Sequence, residues 1–476
     1  MATRTDRHFD LTVLTVALQA DDDPPSVVCT LSTAGDPVRR WVLSTAELGL
    51  PAALDCSGGE RREHAFRLPD ALLRDLGGAV PTDRPPVRPL WLELVRPYGH
   101  LGVVPWEQLL VPHLPVPLVR LPEFAVEPVR SRRSITVVLC ADDGPGDPAP
   151  QAAAVTRLAA KISHSIPLPA TVHIFATAAL HERLRDVRSP VEWADRVLLH
   201  DPAGGSDADS WRLLESTGST DSAAARRPHA WLDWVRRAMC GESTDIVHFL
   251  APAVLRLDQG ALALSASPAD PDAGRAPVST AALTRFTLEL GAWGCAFSSP
   301  DDACSDIGLR QLVTALAGLR PATLLHHEPR LDPELSALGA AYRLITGPEP
   351  GPVPRDPAVL LCCQPSEVGT EPHGRAPLPD PPGQPTDRVR SMLADVTTPA
   401  WVSAGQRYVE QYEWRLNQWR GPDQLPAPDA LADGVTHALR LIQDVLDRYA
   451  DAPTTPLPPV PAADISATPA VPREQP

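Results

Sequence analysis

The residues of this 476-residue chain that are best suited to covalent chemistry are its eight cysteines and fourteen histidines. A cysteine cleaves a peptide bond when a nearby histidine stabilises its thiolate and protonates the leaving amine. Cys295 lies in an apolar, strand-like segment, and His248 lies in a similar segment upstream. The pair has two interpretations: a small core cysteine with a hydrogen-bonded structural histidine, which we favour, or a catalytic dyad. Cys304 lies in a polar segment and is more accessible, although its acidic neighbours disfavour the thiolate.

Three aspartates form an acidic segment that follows a predicted strand: Asp301, Asp302 and Asp306. Ligands bind at the carboxyl ends of the strands in parallel α/β proteins. The aspartates are therefore candidates for recognising a basic side chain of a peptide. The alternative, which we favour, is that Ser305 or Asp306 caps a helix predicted to begin near Ile307.

A second polar run, His326-His327-Glu328, carries residue types that bind metals. Neighbouring residues of a strand point to opposite faces of its sheet, so the two histidines cannot both reach one ion without a bend. The pattern therefore favours a polar cluster at a strand end, and no metal site is expected.

Composition excludes several classes of function. The only lysine, Lys161, follows no glycine-rich turn, so the chain lacks the phosphate-binding loop of nucleotide hydrolases. We find no strand followed by Gly-x-Gly-x-x-Gly, which ranks a Rossmann-like ligand binder last, and no cofactor is expected. The net charge of -16 argues against nucleic acid as a partner. Because we find no membrane span, no signal segment and no Cys-x-x-Cys pair, we expect a cytoplasmic protein.

Two kinds of periodicity predict the elements that would position these side chains. Alternating apolar residues predict a small β-rich module over residues 1–85, with a helix near 69–76. Over residues 86–346 short apolar strands alternate with helices, which is typical of a mainly parallel sheet covered on both faces. The predicted strands are 90–95, 134–140, 170–176, 194–199, 245–250, 260–265, 292–298 and 321–326, and the predicted helices are 150–163, 177–187, 228–240, 278–290 and 306–319.

The 56 prolines of the chain mark the remaining boundaries. Residues 347–386 are predicted to be a proline-rich linker with one short strand near 358–363, and residues 451–476 a disordered tail. Between them, residues 387–450 carry two apolar stripes at helical spacing and are predicted to form a helical hairpin. Its aromatic side chains either pack within the protein or dock a partner; they are Trp401, Tyr408, Tyr412 and Trp419.

Three ordered blocks within residues 85–345 resemble the CHAT domain family, whose members are relatives of caspases and separases among the cysteine peptidases. The first block reads LWLELV at 90–95 and PWEQLL at 105–110. The second reads DIVHFL at 245–250, followed by a strand at 260–265, and the third reads AWGCAFSS at 292–299 and continues to RPATLLH at 320–326. The resemblance implies a caspase-like α/β sandwich, with the β-rich module before it and the helical hairpin after it.

The two catalytic positions of the family carry other residues in this chain. Pro252 stands where the family has its general-base histidine, and Ser299 or Pro300 stands where it has the cysteine nucleophile. The resemblance therefore implies a pseudo-peptidase that acts as a regulatory or scaffold subunit in a bacterial conflict, defence or signalling system. The implied partners are proteins of that system: an NTPase, a repeat protein or an active peptidase. The alternative is an active caspase-like cysteine endopeptidase with a displaced Cys/His dyad, drawn from the candidates above.

Overall fold

The computed structural model of the protein describes residues 11–19, 25–33, 36–50, 66–80, 88–96, 98–122, 133–142, 148–187, 196–205, 229–239, 242, 244–256, 259–270, 274–299, 303–319 and 322–369. The predicted helical hairpin over 387–450, with its four aromatic residues Trp401, Tyr408, Tyr412 and Trp419, lies outside these residues. So do the predicted tail over 451–476 and the part of the predicted linker beyond residue 369.

Fifteen strands occur in the described residues, twelve of them in one large sheet. The strands of the large sheet are β1 (Thr12–Gln19), β2 (Ser26–Thr33), β3 (Asp36–Ser44), β4 (Leu90–Val95), β5 (Leu118–Arg120), β6 (Ile135–Ala141), β7 (Ala170–Ala176), β8 (Val197–His200), β9 (Ile246–Leu250), β13 (Gly294–Ser298), β14 (Thr323–His327) and β15 (Val359–Cys362). A small antiparallel sheet contains β10 (Ala253–Arg256), β11 (Gln259–Ser265) and β12 (Arg275–Val278). The order in the large sheet is β3-β2-β1-β4-β5-β15-β14-β13-β9-β6-β7-β8.

The large sheet consists of two groups of parallel strands that run in opposite directions. One group runs from β14 through β13, β9, β6 and β7 to β8, and the other contains β1, β4, β5 and β15. The groups meet at the antiparallel pair of β14 and β15, and β2 and β3 add an antiparallel edge next to β1. The strands of the predicted N-terminal module therefore extend the same sheet and do not form a separate one.

Helices cover both faces of the sheet. They are α1 (Asp70–Ala79), α2 (Trp106–Leu110), α3 (Pro148–Ser165), α4 (Ala178–Val187), α5 (Ala230–Ala238), α6 (Thr280–Glu289), α7 (Ala303–Ala317) and α8 (Ser336–Thr346). Apolar residues of α3, α4 and α8 pack on one face. Those of α5, α6 and α7 pack on the other face, and α1 and α2 pack beside them over β1 and β4.

The burial pattern explains why these segments take these forms. Strands β6 and β7 each bury every residue except one, and β13 buries every residue. Strands covered on both faces need apolar side chains at successive positions, so their sequences are continuous apolar runs. Helix α5 instead buries one side, with Trp231, Trp234 and Val235, while Arg236 pairs with Asp233 at the surface. The sequence thus predicts which segments form the centre of the sheet and which form its cover.

The coarse prediction, a mixed α/β fold with a mainly parallel sheet, is confirmed. The short strand predicted near 358–363 is β15, which is buried and lies between β5 and β14 near the middle of the sheet. None of the described helices combines the length and the apolar composition needed to cross a membrane.

Candidate functional site

The two positions that the sequence resemblance would assign to catalysis follow neighbouring parallel strands. Ser298, the last residue of β13, pairs with Leu250, the last residue of β9. Pro252 follows β9 and is half-buried, and Ser299 follows β13 and is 2% exposed. Pro252 and Ser299 therefore follow adjacent strands at the same edge of the sheet. Pro300 lies outside the described residues.

Beneath these strand ends, five buried side chains form a continuous hydrogen-bonded series. His248 Nδ1 lies 2.7 Å from the Tyr342 hydroxyl, and His248 Nε2 lies 2.9 Å from Ser298 Oγ. Ser298 Oγ lies 3.2 Å from His327 Nδ1, and His327 Nε2 lies 3.3 Å from Asp332 Oδ2. We call this series, Tyr342-His248-Ser298-His327-Asp332, the histidine chain.

The carboxylate at one end fixes the direction of every hydrogen bond in the histidine chain. Asp332 is ionised and can only accept, so His327 donates from Nε2, and in the tautomer with one ring proton it accepts at Nδ1. Ser298 therefore donates its one proton to His327, and His248 donates from Nε2 to Ser298 and accepts from Tyr342. His248 is neutral in this assignment, which rests on the network as a whole.

The pKa shifts agree with this assignment. Burial, with a smaller contribution from His327, lowers the pKa of His248 to about 3. Burial alone would raise the pKa of Asp332, but hydrogen bonds from His327 and from the backbone N–H groups of Leu338 and Ser336 hold it well below its usual range. Burial raises the pKa of Tyr342 well above its usual value, so the phenol keeps its proton.

Helix α8 positions two members of the histidine chain. Asp332 accepts hydrogen bonds from the backbone of Ser336 at 2.7 Å and of Leu338 at 3.0 Å, so it caps the start of α8. Leu335, just before the helix, has a φ of 54°, a left-handed conformation that strains a leucine. Tyr342 lies further along the same helix. The capped helix therefore holds Asp332 and Tyr342, the two ends of the histidine chain, against the sheet.

Ser298, His327 and Asp332 of the histidine chain are connected as in a hydrolytic triad. Their burial, however, leaves no room for a substrate. A triad serine attacks a carbonyl carbon while the histidine takes its proton. Ser298 is 1% exposed, His327 is 0% exposed, and His248 occupies a further hydrogen-bonding position of the serine oxygen. The arrangement therefore holds the strand ends together and does not present a nucleophile.

Cys295 does not join His248. It pairs with Val247 across β9, while His248 pairs with Ala296, so Cys295 and His248 point to opposite faces of the sheet. Cys295 packs with Val247 and Phe249 in the apolar cluster beneath α7. Both ring nitrogens of His248 are bonded to other groups. The favoured interpretation, a core cysteine and a structural histidine, fits this geometry.

The acidic segment also differs from its prediction. Helix α7 begins at Ala303 and not near Ile307, so Asp306 lies inside its first turn and is 5% exposed. Asp306 therefore neither caps the helix nor faces solvent, and the Ser305 hydroxyl accepts a hydrogen bond from the backbone N–H of Ala253. Asp301, Asp302 and the side chain of Cys304 lie outside the described residues.

Asp306 belongs to a second buried network on the opposite face of β14. Arg310 lies 2.5 Å from Asp306 and 3.2 Å from Glu328, and Arg120 contacts both oxygens of Glu107 at 2.8 and 3.2 Å. Thr314 lies 2.7 Å from Arg120, so it links the two pairs along α7. We call these residues, with His326, the charge cluster.

Burial governs the electrostatics of the charge cluster. It raises the pKa of Asp306 to about 6, although the Arg310 guanidinium opposes the shift. Burial, and then the nearby Arg310, lower the pKa of His326 well below its usual range. His326 Nε2 lies 3.3 Å from Asp306 Oδ1, yet neither atom makes a hydrogen bond within the described part of the chain. Because the imidazole is neutral, this contact is not an ion pair.

The two adjacent histidines thus belong to different networks. His326 faces the charge cluster and His327 faces the histidine chain, as the two-residue period of a strand predicts. Among the described residues no group of three or more histidine, cysteine or acidic side chains is arranged to hold a metal ion. The His326-His327-Glu328 run is therefore split across the sheet.

Sequence reasoning missed most partners of these networks. Tyr342 and Asp332 lie in or before a helix that was not predicted, and Arg120 lies in a three-residue strand. A signal was present for α8, since apolar residues recur at helical spacing over SALGAAYRLIT. No local signal identifies Arg120 as the partner of Glu107.

Comparisons with protein-family models, with curated proteins and with solved structures found no match to this chain. The family resemblance therefore rests on the residues quoted for it. The function has to be inferred from the geometry of the two networks and of the strand ends above them.

Proposed function

We propose that this chain is a catalytically degenerate relative of the CHAT-type peptidases and acts as a protein-binding, regulatory or scaffold subunit. The fold supports the proposal in outline, because helices cover both faces of a mainly parallel sheet, as a caspase-like sandwich requires. The second and third sequence blocks also supply neighbouring strands of the sheet, since β13 lies between β9 and β14. The first supplies β4 and α2, the second β9, and the third β13, α7 and β14.

One observation carries the proposal: the described residues at the strand ends that would hold the catalytic pair include no such pair, and Ser298 and Ser299 there are buried. Pro252 offers neither base nor nucleophile, and Ser298 is bonded to His248 and His327 out of reach of solvent. The cysteines whose side chains the structure describes are all buried; they are Cys29, Cys140, Cys295, Cys362 and Cys363. Burial raises the pKa of Cys29 and of Cys362 to about 12, which leaves almost no thiolate near neutral pH.

A second candidate, a doubly wound ligand-binding protein, is favoured by the strand order. Six neighbouring strands of the sheet lie in the order β8-β7-β6-β9-β13-β14. If these six alone are numbered 1 to 6 along the chain, their order in the sheet is 3-2-1-4-5-6, which is the order of doubly wound dinucleotide-binding folds. The crevice of such a fold would lie at the ends of β6 and β9. Asp142 follows β6 there, and its carboxylate pairs with Arg275 at 2.9 Å and binds the backbone N–H of Ser265. A buried carboxylate in that place repels the phosphates of a nucleotide, so we rank this function second.

Covalent probes test the proposal directly. The native full-length protein would be treated with a peptidyl acyloxymethyl ketone, which traps catalytic cysteines, and with a fluorophosphonate, which traps catalytic serines. Mass spectrometry would locate any label, and the urea-unfolded protein treated with iodoacetamide provides the positive control for thiols. We expect no saturable label on the native protein.

A single saturable label on Cys304, Cys295 or Ser298 that is lost in a His248→Gln variant would overturn the proposal in favour of an active enzyme. The binding role needs its own measurement. Cross-linking of the tagged full chain in its host should capture one protein at constant stoichiometry. Failure to capture such a partner, together with absent labelling, would leave the chain without its proposed role.

A further inference from the structure

A groove with a volume of about 440 Å³ lies on the surface between α1 and the turn that follows α2. Arg74 of α1, His113 of the turn and Arg355 of the segment before β15 line it. Leu73, Pro112 and Pro115 form its apolar walls. The volume is in the range of ligand sites in proteins, which are about 300–1,000 Å³. The groove is remote in sequence from the strand ends of β9 and β13.

The charge of the groove is opposite to that of the protein. No carboxylate of the described residues lines it, although the chain has a net charge of -16. The nearest acidic residues in sequence are engaged elsewhere: Asp75 lies 3.9 Å from Arg39, and Asp356 accepts a hydrogen bond from the backbone N–H of Ala358. A basic groove on an acidic protein therefore presents two guanidinium groups to solvent.

The two groove arginines have no acidic partner among the described residues. Arg74 donates from Nε to the carbonyl oxygen of Asp70 in its own helix, at 3.3 Å, and both Arg74 and Arg355 are exposed. A guanidinium binds a carboxylate through two parallel hydrogen bonds, which makes arginine a specific receptor for that group. The arginines thus have donors available for carboxylates from another molecule.

We propose that this groove binds a short acidic peptide segment of a partner protein. Its glutamate or aspartate side chains pair with Arg74 and Arg355, and its aliphatic side chains pack on Leu73 and the two prolines. The alternation of basic groups with leucine and proline surface suits a chain that carries both acidic and apolar side chains better than it suits a bare anion. This proposal holds whether or not the ends of β9 and β13 are catalytic.

Fluorescence anisotropy of a labelled peptide tests the proposal on the full-length protein. The probe is a fluorescein-labelled peptide of alternating glutamate and leucine, and its matched control has glutamine in place of glutamate. We expect the glutamate peptide to bind and to weaken as salt is raised, because exposed charges are screened. The glutamine peptide should bind at least about tenfold more weakly, since charge-assisted hydrogen bonds are roughly twice as strong as neutral ones.

Variants locate the site. Arg74→Gln and Arg355→Gln should each weaken binding of the glutamate peptide about tenfold. Arg40→Gln, which removes an exposed arginine of β3 outside the groove, should leave it unchanged. A Cβ added at Gly77 would lie 2.9 Å from the carbonyl oxygen of His113 and disturb the groove, whereas one added at Gly78 meets nothing within 4 Å. Gly77→Ala should therefore weaken binding, and Gly78→Ala should not.

Two outcomes would overturn the proposal. One is a result in which charge has no effect: the glutamate and glutamine peptides bind the wild-type protein equally, or the glutamate peptide binds the wild-type, Arg74→Gln and Arg355→Gln proteins equally. The other is that inorganic phosphate binds in an arginine-dependent way while the glutamate peptide does not, which would make the groove a site for small anions.

Discussion

The histidine chain and the charge cluster lie back to back on β14, one on each face of the same strand. They bury polar groups in different ways. The histidine chain has two imidazoles, two hydroxyls and a single carboxylate, joined by hydrogen bonds. The charge cluster holds buried guanidinium groups against buried carboxylates. Hydrogen bonds stabilise the histidine chain. In the charge cluster, the attraction between opposite charges offsets the cost of removing them from water.

Because of this difference, mutations in the two networks should lower the free energy of unfolding by different amounts. Removing one neutral hydroxyl costs the desolvation of its former partners, which is modest. Removing one charge from a buried pair leaves the opposite charge uncompensated in a medium of low dielectric constant, which costs much more. Variants at the two networks should therefore fall into separate ranges of unfolding free energy.

The largest effect is expected for Arg310→Met. This change leaves Asp306 without its guanidinium partner, while Glu328 keeps Arg330 at 2.8 Å, and we expect the free energy of unfolding to fall by about 3 kcal/mol. Arg285→Met is the matched control, because Arg285 also pairs with a carboxylate one helical turn away but is 78% exposed at its side chain. Its effect should stay within about 0.5 kcal/mol, as measured by urea unfolding. Equal losses in both variants would show that the charge cluster is not a buried network.

The pH dependence should be the next largest effect, and it should have opposite signs in the two networks. The folded pKa of His248, about 3, lies below the usual value of 6.5, so its stabilisation is complete above about pH 6.5 and is lost as the pH falls. Between about pH 7.5 and about pH 5 the loss should be roughly 2 kcal/mol. The folded pKa of Asp306, about 6, lies above the usual 3.8, so its contribution is complete below about pH 3.8 and is lost as the pH rises through 6.

Urea unfolding of two variants at both pH values separates these contributions. His248→Gln should lose less stability on acidification than the wild-type protein does. Asp306→Asn should lose more, because the opposing gain from Asp306 is gone. If both variants follow the wild-type pH profile, neither group has the folded pKa assigned to it.

The smallest effect compares two neighbouring serines. Ser298→Ala removes a hydroxyl bonded to both His248 and His327, and we expect a loss of about 1 kcal/mol in the free energy of unfolding. Ser299→Ala removes a buried hydroxyl that makes no hydrogen bond with the described residues, so its stability should be unchanged or slightly higher. Thermal unfolding of the two variants under the same conditions measures the difference. A larger loss for Ser299→Ala would mean that the histidine chain does not stabilise the strand ends.

The sequence predicts the parallel strands well because each is a short apolar run between helices. The strand predicted at 245–250 is β9 (Ile246–Leu250), and the one predicted at 292–298 is β13 (Gly294–Ser298). The two-residue period of a strand also predicts that His326 and His327 lie on opposite faces of the sheet. These features depend on local pattern alone, so the sequence is sufficient to predict them.

The rest of the site depends on contacts that are distant in the chain. Tyr342 meets His248 across 94 residues, and Thr314 meets Arg120 across 194. Residue type identifies each of these as polar, but only the packing of α8 and α7 on the sheet determines what it touches. Asp306 shows the same limit in another form: its sequence favours a solvent-facing cap, and the earlier start of α7 buries it.

The position of β15 has a consequence for how the chain is made. It is the last described strand along the sequence, yet among the described strands it alone joins β5 to β14 and so connects the two parallel groups. During synthesis from the N-terminus, the other strands of both groups can pair before residue 359 leaves the ribosome, and β5 and β14 then each have an open edge where β15 will later lie. Open edges pair readily with the wrong strand. The four-residue strand β15, which is made late, therefore joins the two parts of the large sheet.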